Sequence, residues 1–281
     1  MTEITTYTPA SPLRNLPLFL KQMWRDLLVS RELAWRLFVR DTSAQYRQSL
    51  LGYFWAFIPP ILASLPFIYL QSQGIVAIHK TPISYPAYAM IGTVIWQSFV
   101  DALNAPLKTV SAARTMLTRI NLPREAILLS AVMQVLLSLL IRISLIAVAL
   151  IWFGIAPAPT APLALVGILG LILFGFMIGL LLTPLGVLYN DVQMGLAVAT
   201  TFLMLLTPIL YPVPKEGMGA TLAAWNPLTS LIGATRDWLT IGPSVHAMPM
   251  LAISATSLVL LLVGWVSFRV AMPHLIARIG S

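Results

Sequence analysis

Six runs of the chain are dominated by apolar residues, and each run is about 20 residues long or longer. A helix rises 1.5 Å per residue, so a run of this length crosses the ~30 Å hydrocarbon core of a bilayer. Short polar segments separate the runs and predict the loops. The predicted spans are residues 53–72, 85–105, 126–153, 163–189, 194–213 and 247–268.

The segment ahead of the first run, residues 27–50, is amphipathic and too charged to span. Arg36, Arg40 and Arg47 fall within one helical arc, and apolar and aromatic side chains cover most of the remainder. This pattern is typical of a helix in the membrane interface, with its arginines toward anionic headgroups. A soluble helix packed on a partner is the alternative. Residues 1–26 are polar and contain prolines, which predicts a cytosolic tail with little structure of its own.

A compact basic segment, KTVSAARTMLTRINLPREAI at residues 108–127, separates the second and third runs. Short basic loops beside membrane spans stay on the cytoplasmic side. Ala113, Leu117 and Ile120 repeat at helical spacing, which predicts a short helix in the middle of this segment. The segment is either an ordinary anchoring loop or a helix that docks a cytosolic partner.

Lysine and arginine are distributed unequally between the two sides of the predicted bundle. One side receives seven before the first span, four in the basic segment and two near the C-terminus. The other side receives only Lys80, Lys215 and Arg236. Since six spans return the chain to its starting side, this distribution predicts that both termini are cytoplasmic.

The segment between the fifth and sixth runs, residues 208–242, is too apolar for an exposed loop and too interrupted by Pro and Gly for another span. Residues 220–231 are only about half a crossing long, which favours a re-entrant or interfacial pair of short helices. Irregular backbone at membrane depth is tolerated where it is buried in protein or lines a cavity. We therefore predict an outer gate here. Its candidate residues are Pro208, Tyr211, Pro212, Trp225, Asn226, Pro227 and Arg236.

The composition is typical of a membrane-embedded chain. The 281 residues are 58% hydrophobic and 9% charged, with a mean hydropathy of +0.87. These values predict an all-α integral membrane protein with six transmembrane helices. The net charge of +8 lies mainly beside the apolar runs, so it indicates topology and no nucleic-acid partner. Cysteine is absent and the three histidines are far apart, so no metal site is predicted.

Catalytic and energy-coupling motifs are missing from the sequence. There is no GxxxxGK[ST] phosphate loop, so we expect no cofactor on this chain and no ATP site of its own. Asp101 and Arg142 are the charges placed well inside predicted spans. Such residues are costly in lipid, and these two either pair with each other or serve transport. No carboxylate or histidine constellation of a membrane-embedded enzyme stands out.

Four stretches of the chain resemble the permease subunits of type-2 ABC exporters, and within that family the branch that moves O-antigen, capsular or teichoic-acid polysaccharides. The stretches are FVRDTSAQYRQSLLGYFWAFIPP at 38–60, LTRINLPREAILLSAV at 117–132, PILYPVP at 208–214 and AAWNPLTSLIGATRDWL at 223–239. They occur in the right order and are spread from residue 38 to residue 239. One departure is Tyr189-Asn190-Asp191, where the family commonly has an arginine just before the aspartate.

The resemblance implies a homodimer of six-span subunits in the cytoplasmic (inner) membrane, joined to two copies of a cytosolic ABC ATPase that binds ATP and Mg. Residues 111–121 would be the coupling helix that seats in a groove of the ATPase. An exporter of drugs or lipids is the alternative within transport, and a membrane-embedded enzyme or a passive scaffold lies outside it. The candidate coupling residues are Arg114, Met116, Leu117, Arg119, Asn121, Arg124 and Glu125.

The resemblance also implies a cargo, an elongated glycan on a polyprenyl-diphosphate lipid that passes through a channel between subunits. Aromatic faces suit such a cargo because the C–H surfaces of sugars stack on rings. Interfacial anchoring or packing within the bundle is the alternative for each ring. The candidate channel aromatics are Tyr53, Trp55, Phe57, Tyr85, Tyr88, Trp96 and Phe99.

Overall fold

The computed structural model describes residues 16–46, 57–74, 81–119, 123–214 and 216–279, and no residue of these ranges lies in a strand. The described chain is an assembly of helices joined by short turns. The helices are α1 (Leu16–Val29), α2 (Arg31–Tyr46), α3 (Ile58–Ser72), α4 (Tyr85–Ala112), α5 (Arg114–Arg119), α6 (Arg124–Trp152), α7 (Ala161–Leu188), α8 (Asn190–Leu206), α9 (Gly217–Trp225), α10 (Pro227–Thr240) and α11 (Ala247–Ile279).

Helical structure begins earlier than the sequence predicted. The helix α1 starts at Leu16, so the prediction that residues 1–26 have little structure is wrong from that residue onward. Phe19 and Met23 are only 6% and 1% exposed. Residues four apart share a helical face, so these two dock α1 on the rest of the protein.

The predicted interfacial helix over residues 27–50 is two helices in the structure. The break between α1 and α2 falls at Ser30, and residues 47–50 lie outside the described ranges. Main-chain hydrogen bonds from Ser30 N to Asp26 O and from Ala34 N to Ser30 O, both 2.9 Å, bridge the break. The two helices therefore follow one another closely at this end of the protein.

Among the described residues, three helical stretches are long and apolar enough to cross a membrane: 124–152, 161–188 and 247–273. The helices α3 and α8 are also apolar but have only 15 and 17 residues. We predicted a span to residue 213, but α8 ends at Leu206. Pro208 explains this end, because proline disfavours helical geometry in the residue before it and cannot continue the helix.

The helix α7 is the axis of the bundle, since α4, α10 and α11 all pack against it. Two of its glycines lie where α4 crosses. A Cβ atom at Gly175 would lie 2.8 Å from the carbonyl oxygen of Phe99, and one at Gly179 would overlap the carbonyl oxygen of Leu103. Small residues four apart let helix backbones approach closely. The GFMIG motif at 175–179 thus serves packing within the chain.

Gly179→Ala is expected to destabilise the protein by about 1–3 kcal/mol, because its methyl group would meet backbone that cannot rotate away. Gly195→Ala in α8 is the matched control, since nothing lies within 4 Å of the Cβ position there. Alanine favours a helix over glycine by about 0.5–1 kcal/mol, so the control should unfold at the same temperature or higher. Thermal unfolding of both variants in detergent micelles measures the difference. Equal midpoints would contradict the close helix crossing.

Buried apolar side chains form two clusters along the bundle. One includes Phe99, Leu171 and Leu231, and therefore joins α4 and α7 to α10. The other includes Leu117 and Phe268, and therefore joins α5 to α11. The two ends of the protein that carry the candidate sites thus rest on different clusters.

Candidate functional site

The predicted coupling helix is interrupted in the structure. Residues 111 and 112 complete α4, Ala113 forms a turn, and α5 covers Arg114–Arg119. Ala113 and Leu117 are buried, as their spacing predicted, whereas Arg114 is exposed. Residues 120–122, which include the candidate Asn121, lie outside the described ranges. The segment therefore packs its apolar side on the bundle and leaves Arg114 accessible to a partner.

The helix α2 contacts the coupling segment directly. Arg40 forms an ion pair with Asp41 at 2.6 Å, and its Nη1 atom lies against the Sδ atom of Met116 in α5. The sequence placed Arg40 toward lipid headgroups, whereas the structure places it between α2 and α5. Arg36 pairs with Glu32 at 2.7 Å, and both side chains are largely exposed. Arg47 lies outside the described ranges.

A cluster of charges joins three helices beside the coupling segment. Arg269 of α11 donates from Nη1 to Glu125 Oε1 of α6 and from Nη2 to Asp26 Oδ2 of α1, both at 2.6 Å. Arg124 Nη1 donates to the carbonyl oxygen of Arg269 at 3.3 Å. Sequence reasoning missed Arg269 because it was counted only as a topology signal. It missed Asp26 because that residue fell in the predicted tail.

The two charges inside the predicted spans meet each other. Arg142 Nη2 of α6 lies 2.9 Å from Asp101 Oδ2 of α4, which confirms the pairing that the sequence offered as one of two readings. The Nε2 atom of Gln97 donates to Asp101 Oδ1 at 3.4 Å. Arg142 is buried, so the pair is held away from water on that side.

A cavity of about 280 Å³ adjoins this pair, between α2, α4 and α6. Most of its lining is polar, which is unusual in a chain that is 58% hydrophobic. A polar cavity of this size holds several water molecules, since one water occupies about 30 Å³ of liquid. The polar lining residues are Asp41, Thr42, Gln45, Asp101, Lys108, Thr109, Gln134 and Ser138.

At the other end of the bundle, a buried arginine fixes the segment that follows α8. Arg236 of α10 is 5% exposed, and its guanidinium lies 3.7 Å from the centroid of the Tyr88 ring of α4. Arg236 Nη1 donates to the carbonyl oxygen of Ile209 at 3.2 Å, and the Tyr88 hydroxyl donates to that of Tyr211 at 3.2 Å. One cation and one phenol thus satisfy two carbonyls of an irregular segment.

The start of α10 ties the same segment from another direction. The side-chain oxygen of Asn226 accepts from Leu228 N at 3.0 Å, which is a typical helix N-cap. Its Nδ2 atom donates to Thr207 Oγ1 at 2.8 Å. Pro227 follows as the first helical residue, where its missing N–H has no intrahelical role.

The remaining candidate gate residues take different positions. Pro208 is buried and Pro212 is half-buried. The hydroxyl of Tyr211 donates to the carbonyl oxygen of Leu205 at 2.9 Å. Trp225 is 85% exposed and does not join the network. Apart from Trp225, the predicted residues therefore gather around the turn after α8.

The candidate channel aromatics are mostly interior. Tyr85, Tyr88, Trp96 and Phe99 are all buried within the subunit, which is the bundle packing that the sequence offered as the alternative to a channel position. The reason is that α4 is covered by α3, α6, α7 and α10. Phe57 is half-buried against the first apolar cluster, and residues 53 and 55 lie outside the described ranges. Exposed rings on the described helices that contact α4 include Tyr69 of α3, Trp152 of α6 and Phe202 of α8.

These features occur within a recognised sequence family. Residues 32–240, from α2 to the end of α10, match the family described as ABC-2 type transporter. The chain belongs to this family. As an ABC-2 permease it is a membrane transport subunit and not itself an enzyme, which confirms the resemblance noted in the sequence.

Two relatives of this ABC-2 permease are each named O-antigen export system permease protein RfbA. The one from Myxococcus xanthus is 26% identical over 240 residues, which cover 84% of this chain and 91% of the relative. The one from Klebsiella pneumoniae is 25% identical over 205 residues, which cover 70% of this chain and 76% of the relative. The similarity thus extends over most of both chains.

Proposed function

We propose that this ABC-2 permease exports a lipid-linked polysaccharide of the O-antigen, capsular or teichoic-acid type across the cytoplasmic membrane. The observation that carries the proposal is its similarity to two O-antigen export permeases over most of their length. A separate ABC ATPase supplies the energy, since the sequence has no phosphate loop. The expected assembly is a homodimer with two ATPase copies, and the glycan is carried on a polyprenyl diphosphate.

The proposed topology has six spans, α3, α4, α6, α7, α8 and α11, with both termini cytoplasmic. The long apolar helices α6, α7 and α11 are joined in this set by the shorter apolar helices α3 and α8 and by the 28-residue helix α4, which its neighbours cover. The outer faces of α3 and α8 carry exposed apolar residues such as Leu65, Tyr69 and Phe202. These faces are available to a second copy, so we place the subunit interface and its channel on this side.

Each end of the bundle has its own role in the proposal. At the cytoplasmic end, exposed Arg114 and its neighbours on α5 dock the ATPase, and Arg36 lies near headgroups or the lipid diphosphate. At the outer end, α9, α10 and the turn after α8 form a re-entrant gate. The burial of α10 and of the turn after α8 around Arg236 supports this placement, because irregular backbone at membrane depth needs protein partners.

Deleting the gene and measuring two glycan pools tests the proposed function. We expect surface glycan to fall about tenfold or more, while polyprenyl-linked glycan accumulates inside the cell. Restoring the wild-type gene should reverse both changes. Unchanged amounts in both pools would contradict glycan export, and acquired sensitivity to small molecules or altered lipid asymmetry would instead support a drug or lipid exporter.

A further inference from the structure

The side chain of Arg269 has an unusual position for a charge at the end of a predicted span. It is only 17% exposed, and it contacts one carboxylate that is nearly buried and another that is partly exposed. A guanidinium is a planar fork whose two Nη groups point in different directions. Here each Nη atom serves a different helix, so one residue of α11 holds both α6 and α1.

The carboxylate on α6 belongs to the segment that leads out of α5. Glu125 lies in the first turn of α6, where the positive end of the helix dipole also favours a negative charge. Its neighbour Arg124 donates to the main chain of Arg269. The first turn of α6 therefore makes two contacts with Arg269 of α11, one with its side chain and one with its backbone carbonyl oxygen. A displacement of this turn is therefore passed on to α11.

The carboxylate on α1 extends the connection to the N-terminal helix. The Arg269 guanidinium lies 5.2 Å from the centroid of the Phe19 ring, and Phe19 lies about two turns before Asp26 on α1. Phe19 and Met23 are buried on the same side. The helix α1 is thus held by an apolar face and by one ion pair, both near Arg269.

We propose that Arg269 is a positioning residue for energy coupling, because it makes α1 and α11 move together with the segment that docks the ATPase. This inference rests on the proposed function. It assigns α1 to the coupling apparatus, although α1 precedes the residues that match the family. Lysine cannot replace this arginine fully, since its N–H donors all sit on one nitrogen, whereas the two Nη atoms of the guanidinium each reach a different carboxylate.

The test uses the purified complex of permease and ATPase, with Arg269→Gln and Arg269→Lys as the variants. Lys21→Gln is the matched control, because Lys21 is an exposed cation on α1. Hydrogen exchange of the α1 amides reports whether the helix is held. ATP hydrolysis by the complex and surface glycan in cells together report coupling. The triple variant Asp26→Asn, Glu125→Gln, Arg269→Gln removes all three charges. It replaces Arg269→Gln in the same measurements if that single variant does not fold.

In Arg269→Gln we expect about tenfold faster exchange in α1 and about tenfold less glycan exported for the same ATP hydrolysed, with the Lys variant between this and wild type. The control should match wild type in each measurement. Faster amide exchange in α1 with unchanged glycan export per ATP would overturn the coupling role. Unchanged amide exchange would show that Arg269 does not hold α1. Amide exchange in α1 does not depend on the cargo, so it still tests whether Arg269 holds α1 if the glycan assignment fails.

Discussion

Replacing Asp101 with leucine is expected to lower the free energy of unfolding by about 3–5 kcal/mol, because the buried guanidinium of Arg142 loses its carboxylate. The two atoms of this pair are 2.9 Å apart, and the Arg142 side chain is 7% exposed. A cation whose side chain is buried is costly once its counter-charge is removed. Unfolding of the purified protein in detergent micelles measures the loss.

The double variant Asp101→Leu, Arg142→Met tests whether the loss arises from the unpaired charge of Arg142. It removes both charges, so it should regain most of the stability lost by the single variant. Asp191→Leu is the control, since Asp191 is an exposed carboxylate in the first turn of α8 and should cost less than about 1 kcal/mol. If the double variant is no more stable than Asp101→Leu, the loss of stability does not come from the unpaired charge of Arg142.

The second large effect is expected at Arg236. Arg236→Ala removes a desolvated cation–π contact, worth about 2 kcal/mol, and a charged hydrogen bond to Ile209, worth about 1.5–3 kcal/mol. We therefore expect a loss of about 3.5–5 kcal/mol and greater proteolysis of the segment after α8. Thermal unfolding and limited proteolysis measure these changes.

A double-mutant cycle isolates the contact between the cation and the ring. Tyr88→Leu alone and together with Arg236→Ala should show a coupling energy of about 1–2 kcal/mol. Arg31→Ala is the matched control, since Arg31 is exposed on α2 and its loss should change little. Additive losses at Arg236 and Tyr88 would show that the two side chains act independently.

The positions of the long helices could be predicted from the sequence. Lipid leaves no partner for backbone N–H and C=O groups, so an apolar run of sufficient length must be helical. The starts of α4, α6, α7 and α11 accordingly fall within two residues of the predicted spans. The Asp101 and Arg142 pair was also within reach, because two opposite charges inside neighbouring spans have few other partners.

The faces of those helices could not be predicted in the same way. Lipid and protein interior are both apolar, so hydrophobicity does not say which side of α4 meets a neighbour. Tyr88 and Trp96 were therefore assigned to a channel, whereas the structure buries them. Arg269 posed a related problem. A basic residue at the end of a span fits the topology rule whether or not it also bridges two helices.

The network around Arg236 has a mechanical consequence. Residues 207, 209 and 211 are each hydrogen-bonded to α10, to its N-cap or to α4. The stretch after α8 is therefore a stiff joint and not a hinge. The end of α8 and the start of α10 are thus coupled rigidly to each other, and moving them together against α4 would break the contacts that Tyr88 makes with Arg236 and Tyr211.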